Sequence, residues 1–273
     1  MAAFQVSAAF AKSLFPVMGA DGAAALRLSL GALMLLAFTR PWRNWPRGGP
    51  WPALLGLGVS VAAAVFLFYA ALSRLPQGIA IALQFLGPLG VALFGSRRPR
   101  DIVWAVLGAA GVWMLVGRSG GPGRLDLLGV AYALGAAAGW AGYILCGKAA
   151  GTAYGNRAAT VSTAIAAVLV LPIGAAHAGA AMLTPHLLPL AAAVAFFSTV
   201  IPFSLELYAM AHMPARTFAV LTSLEPAFGA VSGFALLHEQ LGAAQLAGVA
   251  AVIGAAAGAA WSAKAAMPPP GPV

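Results

Sequence analysis

The sequence predicts an all-α polytopic membrane protein, with ten transmembrane helices in two inverted five-helix repeats and both termini inside. Composition is the first observation behind this: of 273 residues, 62% are hydrophobic and 8% charged, and the mean hydropathy is +0.91. So little polar surface cannot coat a soluble domain of this length. The second observation is a series of apolar runs long enough to cross lipid, and the third is a peptide that occurs twice. Its copies are Pro76 to Pro88 (PQGIAIALQFLGP) and Pro214 to Pro226 (PARTFAVLTSLEP). In each, one proline opens the segment and a second, twelve residues later, interrupts it near mid-membrane. A proline inside a helix removes a donor and bends the helix, which leaves carbonyls exposed where lipid cannot satisfy them. Paired kinks in matching halves predict an internal duplication with its site at the repeat interface.

A bilayer core of about 30 Å needs roughly 20 apolar residues at about 1.5 Å each. The chain divides accordingly into spans at 2–18, 21–39, 51–72, 76–95, 101–117, 125–147, 157–176, 187–211, 214–237 and 241–262. The first carries Lys12 and begins directly in apolar sequence, with no cleavable signal peptide and no polar leader, which leaves an earlier natural start open. The second carries Arg27, and the fourth and ninth hold the two copies of the repeated peptide. Trp104 and Trp113 in the fifth span and Trp261 in the tenth read as packing or belt residues. The seventh is Ala-rich, with a soft boundary between Gly174 and Met182. Stretches such as GLGVSVAAA and GVAAVIGAAAGAA supply small residues that let helix backbones approach closely. Residues 1–120 form the first repeat, 121–263 the second, and 264–273 a disordered cytoplasmic tail ending in MPPPGPV.

Basic residues set the orientation. With the N-terminus inside, ten fall on inner loops (Arg40, Arg43, Arg47, Arg97, Arg98, Arg100, Lys148, Arg157, Arg216, Lys264) and three on outer ones (Arg74, Arg118, Arg124). The formal charge of +9 is therefore spread over loops, which argues against a nucleic-acid partner. Trp42, Trp45 and Trp51 flank the first long inner loop at headgroup level. Cys146 is the only cysteine, so no intrachain disulfide forms.

Charged groups in a span cost a few kcal/mol even on lenient scales, so they face the bundle interior or a water-filled cavity. Glu225, about 16 Å from the inner end, and Glu206, about 12 Å deep on the preceding span, are the first candidates. Each could equally be a hydrogen-bonded packing residue. In the repeat, Gly87 is the counterpart of Glu225 and Gln84 of Thr222, so the two kinks carry different linings. An acid on one side and bare backbone amide on the other suit a zwitterion. Lys12 and Arg27 lie roughly 9 Å inside the outer boundary. Snorkelling or pairing with Asp21 is the plain account of both, and an outer anion site or gate the sharper one. Phe66, Tyr69, Phe85, Trp140 and Tyr143 are candidates for an aromatic cavity wall, against the commoner alternative of simple packing.

The order of spans, Pro76…Gly87-Pro88 echoed by Pro214…Glu225-Pro226, and the ending Leu236-Leu237-His238-Glu239-Gln240-Leu241 resemble the EamA-type transporters of the drug/metabolite superfamily. The ending is similar to that family's F-L-G-E-x-L, with His238 in place of Gly. The segments AKSLFP, ALRLSLG, PQGIAIALQFLGPLGVALFGSRRP, STVIPFSLE and PARTFAVLTSLEPAFGAVSG resemble the RhtA-like threonine/homoserine exporters within it. The YddG-like aromatic amino-acid exporters are near neighbours; in them aromatics on the same spans line a central cavity, with Phe85 and Trp140 at matching places. The resemblance implies a secondary transporter of the bacterial inner membrane that exports threonine, homoserine and other neutral or aromatic amino acids by alternating access. An exporter of another small metabolite or drug in the same fold is the alternative.

Catalytic signatures are missing. His238-Glu239-Gln240-Leu241-Gly242 starts like a zinc H-E-x-x-H motif but has Gly at the second ligand position. GRSGGPGR (117–124) lacks the lysine and hydroxyl of a phosphate loop, and no G-x-S-x-G elbow occurs. His177 and His186 flank an outer loop and read as solvated. An intramembrane enzyme using Glu206 and Glu225 as an acid pair is the remaining alternative of another class. No metal or cofactor is expected, transport must draw on a gradient or on exchange, and the partners are the substrate and the bilayer.

Overall fold

The computed structural model describes residues 2–44, 49–94, 101–116, 126–202, 205 and 224–262, and among these the regular structure is helical throughout. In chain order the helices are α1 (Ala2–Lys12), α2 (Phe15–Thr39), α3 (Trp51–Leu72), α4 (Gln77–Gln84), α5 (Leu86–Phe94), α6 (Asp101–Val116), α7 (Leu127–Tyr154), α8 (Asn156–Ala178), α9 (Leu188–Ala195), α10 (Glu225–Leu237) and α11 (Ala243–Ser262). Short 3₁₀ turns follow α2 at Pro41–Asn44 and α8 at Gly179–Leu183. Among the described residues, five segments are long and apolar enough to cross a membrane: Phe15–Thr39, Trp51–Leu72, Leu127–Tyr154, Arg157–Leu183 and Ala243–Trp261. Shorter apolar helices are Gln77–Val91, Ile102–Leu115, Leu188–Val200 and Glu225–Leu237, and breaks mark several of the expected spans.

Each break has a chemical cause. The first expected span, 2–18, divides at Ser13 and Leu14, where Pro16 sits in the opening turn of α2 and needs no donor there. Gly19 interrupts α2 once more, with φ 69° and ψ 170°, a conformation that only glycine adopts readily. The fourth span, 76–95, is two helices parted at Phe85. Pro88 cannot donate to the Gln84 carbonyl four residues back, and the α-helical ladder stops there. In the eighth span α9 widens into a π turn, Phe196–Val200, and Pro202 withholds its donor from the Ser198 carbonyl. In the ninth, α10 begins at Glu225 with Pro226 as its second residue, where a missing N–H costs nothing within α10.

Other boundaries shift. The sixth span runs on to Tyr154 and stops at Gly155, whose φ is +56°. Lys148, placed in an inner loop from the sequence, is therefore an exposed residue of a continuous helix. Asp126 caps α7 by accepting from the Leu128 amide at 2.9 Å and pairs with Arg74 at 2.6 Å. The Arg74 guanidinium, then the Leu128 amide, hold that carboxyl below its ordinary range.

Packing follows the small residues. α3 lies along α7 and α8, α2 along α8, α6 along α11, and α4 along α10. At the α3–α7 crossing a Cβ on Gly139 would come within 2.6 Å of the Ala64 amide nitrogen, so glycine sets how closely these backbones approach. The main core gathers Leu28, Val65, Phe68, Tyr69, Ile79, Ile81, Leu83, Ala133 and Val252 from both halves of the chain.

Candidate functional site

Arg27, near the middle of α2, is 3% exposed. Its guanidinium carbon lies 4.9 Å from the Phe4 ring centroid and 5.4 Å from that of Tyr69, so two aromatic faces flank the cation. Each such contact contributes up to about 2 kcal/mol when desolvated, enough to offset most of the cost of a cation inside a span. Its Nη2 donates to the Ser198 carbonyl at 2.9 Å and its Nε more weakly to Thr199 Oγ1 at 3.4 Å. The π turn and Pro202 leave that carbonyl available, so the irregular backbone of one half receives the cation of the other. A guanidinium has five donors, two of which are used here, and no described carboxylate pairs with it. The Tyr69 hydroxyl, fully buried beside it, has no hydrogen-bond partner among the described residues. A dry cation next to an unused hydroxyl donor is fitted to hold a carboxylate.

The kink between α4 and α5 bears a second group. Gln84 is 3% exposed, and its Oε1 accepts from Trp140 Nε1 at 3.2 Å. The Trp140 ring meets Tyr143 edge-on at 5.3 Å. Phe85 is buried at the break itself, and Phe66 is half-buried against the main core. Gly87 packs directly on α7: a Cβ there would collide with the Ala137 carbonyl. The absence of a side chain at this position lets α5 approach α7 closely. Pro88 lies half-buried just beyond it.

Lys12 does not pair with Asp21. Its Nζ meets Glu239 Oε1 at 2.6 Å, while Asp21 pairs with His177 Nδ1 at 2.7 Å. Of the plain accounts of Lys12, pairing with Asp21 is replaced by pairing with Glu239, whereas His177 is largely exposed, as expected, while it contacts Asp21. Glu239 reaches Lys12 because His238 turns the chain back with φ 55°, after which the Glu239 amide donates to the Gly233 carbonyl at 3.1 Å. Its other oxygen accepts from the Gln77 amide at 2.7 Å. The Gln77 side chain, fully buried, donates to the Gln5 carbonyl at 2.8 Å and to Ser232 Oγ at 2.9 Å. The ends of α1, α4 and α10 are thereby joined by one polar network.

Glu225 is the first residue of α10, half-buried, where a carboxylate favours the positive helix end. Glu206, Thr222 and Pro214 lie outside the described residues. Gln5, Phe4, Gln77, Ser198, Ser232 and Glu239 are not found from sequence spacing. For Glu239 and Gln77 a signal existed: each adjoins a motif position, His238 or Pro76, that had been singled out.

Comparison with known proteins places the chain. The model of the EamA-like transporter family matches residues 127–261. The chain is 48% identical to the threonine/homoserine exporter RhtA of Escherichia coli (strain K12) over 94% of its own length and 88% of that protein. It is 47% identical to the RhtA of Salmonella typhimurium (strain LT2) with the same coverage. The uncharacterized transporter YwfM of Bacillus subtilis (strain 168) is 30% identical over 83% of this chain and 79% of its own. A solved crystal structure superposes with a TM-score of 0.58 at 21% identity, covering 98% of both chains, and so shares the fold. With relatives this similar over almost its full length, the chain belongs to the EamA-like transporter family, beside the RhtA exporters.

Proposed function

We propose that this chain is a secondary transporter of the bacterial inner membrane that exports threonine and homoserine, with tolerance for other neutral and aromatic amino acids. The observation that carries the reading is identity of 47–48% to curated threonine/homoserine exporters across 94% of the chain. The geometry supports it. Arg27 and the unpartnered Tyr69 hydroxyl provide for the substrate carboxylate, and the Gln84–Trp140–Tyr143 group provides an aromatic wall with a polar edge. Glu206 and Glu225 are proposed to act on the ammonium group or a coupled proton, and Thr222 as the mate of Gln84.

The same proposal takes residues 1–120 and 121–263 as inverted five-helix repeats, with both termini cytoplasmic and 264–273 a cytoplasmic tail. The packing supports this pairing. A twofold exchange of the halves turns α1 against α10 into α4 and α5 against α7, and α2 against α9 into α8 against α3; all of these contacts occur. It also pairs α2 with α8, α4 with α10 and α6 with α11, which pack together. Alternating access would then rock one repeat on the other around the site.

Counterflow in proteoliposomes tests the reading. Liposomes loaded with unlabelled threonine or homoserine should accumulate labelled threonine, and neutral amino acids should compete better than acidic ones. Failure of every neutral amino acid to exchange, with folded protein in the membrane, would sink it.

A further inference from the structure

We propose that Gln5, Lys12, Gln77 and Glu239 form a second amino-acid station, at which a hydroxy amino acid displaces the internal Lys12–Glu239 pair. The inference rests on the threonine/homoserine reading and adds where the side-chain hydroxyl is recognised. The pair presents a cation and an anion 2.6 Å apart, largely screened from solvent, with side-chain exposures of 22% and 15%. A zwitterion can replace it charge for charge, its carboxylate on Lys12 and its ammonium on Glu239, so neither protein charge is left unpaired. Glu239 keeps its position during the exchange, because the Gln77 amide holds its second oxygen at 2.7 Å and the left-handed turn at His238 fixes its backbone. Gly233 makes room for it: a Cβ there would stand 2.6 Å from Glu239 Oε2.

Three buried polar atoms on Gln5 and Gln77 have no hydrogen-bond partner among the described residues. Gln5 is 0% exposed, yet among the described residues neither its Oε1 nor its Nε2 is hydrogen-bonded, and the same holds for Gln77 Oε1. Orphaned groups at such depth cost several times what a made hydrogen bond returns, and a native structure keeps them for a reason. Gln77 Nε2 donates to the Gln5 carbonyl, which brings the two residues together. Gln5 and Lys12, seven residues apart, lie roughly two turns from each other on one face of α1. A hydroxyl both donates and accepts, and so answers an amide that offers both. An alkyl side chain would leave the amide atoms unpaired, and a buried site of that kind discriminates by roughly tenfold or more.

The test uses the full chain in proteoliposomes and compares half-saturating concentrations of threonine and 2-aminobutyrate, which has the same carbon skeleton without the hydroxyl. The unsubstituted protein should favour threonine by roughly tenfold or more. Gln5→Leu should bring the ratio near one by weakening threonine alone, while the melting midpoint in detergent stays level or rises, since removing a partnerless amide strands nothing. Lys12→Gln should weaken both substrates alike. Gln5→Met is the second variant if Gln5→Leu does not insert. An unchanged ratio in a folded Gln5 variant, or no preference in the unsubstituted protein, overturns the station. If the unsubstituted protein exchanges neither threonine nor homoserine, it is the exporter reading that fails.

Discussion

At the scale of single residues, His238 shows how a family pattern becomes a physical statement. Sequence comparison alone marks it as the departure from a glycine in the family ending, and the structure gives the reason for the glycine: the position has φ 55° and ψ 28°. A residue with a Cβ pays roughly 1–2 kcal/mol in that left-handed region. His238 is exposed and its side chain has no hydrogen bond among the described residues. Replacement by Gly should therefore stabilise the protein by about 1 kcal/mol, read as a higher melting midpoint in detergent with transport intact. A lower midpoint would mean that the imidazole supports the turn by some other contact. Arg27 was legible as a buried cation needing an explanation, but its partners were not. The aromatic faces of Phe4 and Tyr69 and the Ser198 carbonyl come from three other helices, and no local pattern announces a contact across 171 positions.

Among the elements, the two repeated prolines looked equivalent in sequence and occupy different helical positions. Pro88 is the third residue of α5, just past a break, and withholds a donor from Gln84, whose side chain carries the bond to Trp140. Pro226 is the second residue of α10, where first-turn amides have no partner in that helix anyway. Pro88→Ala should thus tend to fuse α4 to α5, turn Gln84 and Phe85 away from Trp140 and lower counterflow several-fold with insertion unchanged. Pro226→Ala should change it much less. Equal losses in the two variants would show that the prolines act through something other than their missing donors. Hydrophobic length was the reliable signal for α3, α7 and α11, which run uninterrupted, and boundaries failed where backbone irregularity intervened. Lys12 and Ser13 mark the break in the first span only as a short polar interruption, and the π turn at Phe196–Val200 widens the eighth within a run that still reads as one span.

For the whole molecule, the helical character of the described residues and the long spans followed from continuous apolar runs of about 20 residues, which satisfy their own backbone in lipid only as helices, whereas barrel strands alternate and are about half as long. Orientation rests on a different physics, the distribution of lysine and arginine between loops, and with the proposed N-in arrangement Lys148, now at the exposed end of α7, would still count toward the inner side. The network joining Lys12, Gln77 and Glu239 would then lie toward the outer face, and the 3₁₀ turn bearing Arg43, with exposed Trp42 beside it, at the inner headgroups. Both placements stand or fall together. In a Cys146→Ser background, an impermeant thiol reagent applied to intact cells should label cysteines at Gly19 and Gly120 and leave one at Arg98 unlabelled until the membrane is permeabilised. Gly19 is the most informative position, because it is exposed, lies at the break between the first two expected spans, and already has a conformation with nothing within 4 Å of an added Cβ. Its positive φ makes any substitution there strained, so Ser13, exposed one residue beyond Lys12, provides a second reporter near the same end of the bundle. Labelling of Arg98→Cys with none at Gly120→Cys would invert the molecule, and the station at Lys12 and Glu239 would become an entrance on the cytoplasmic side.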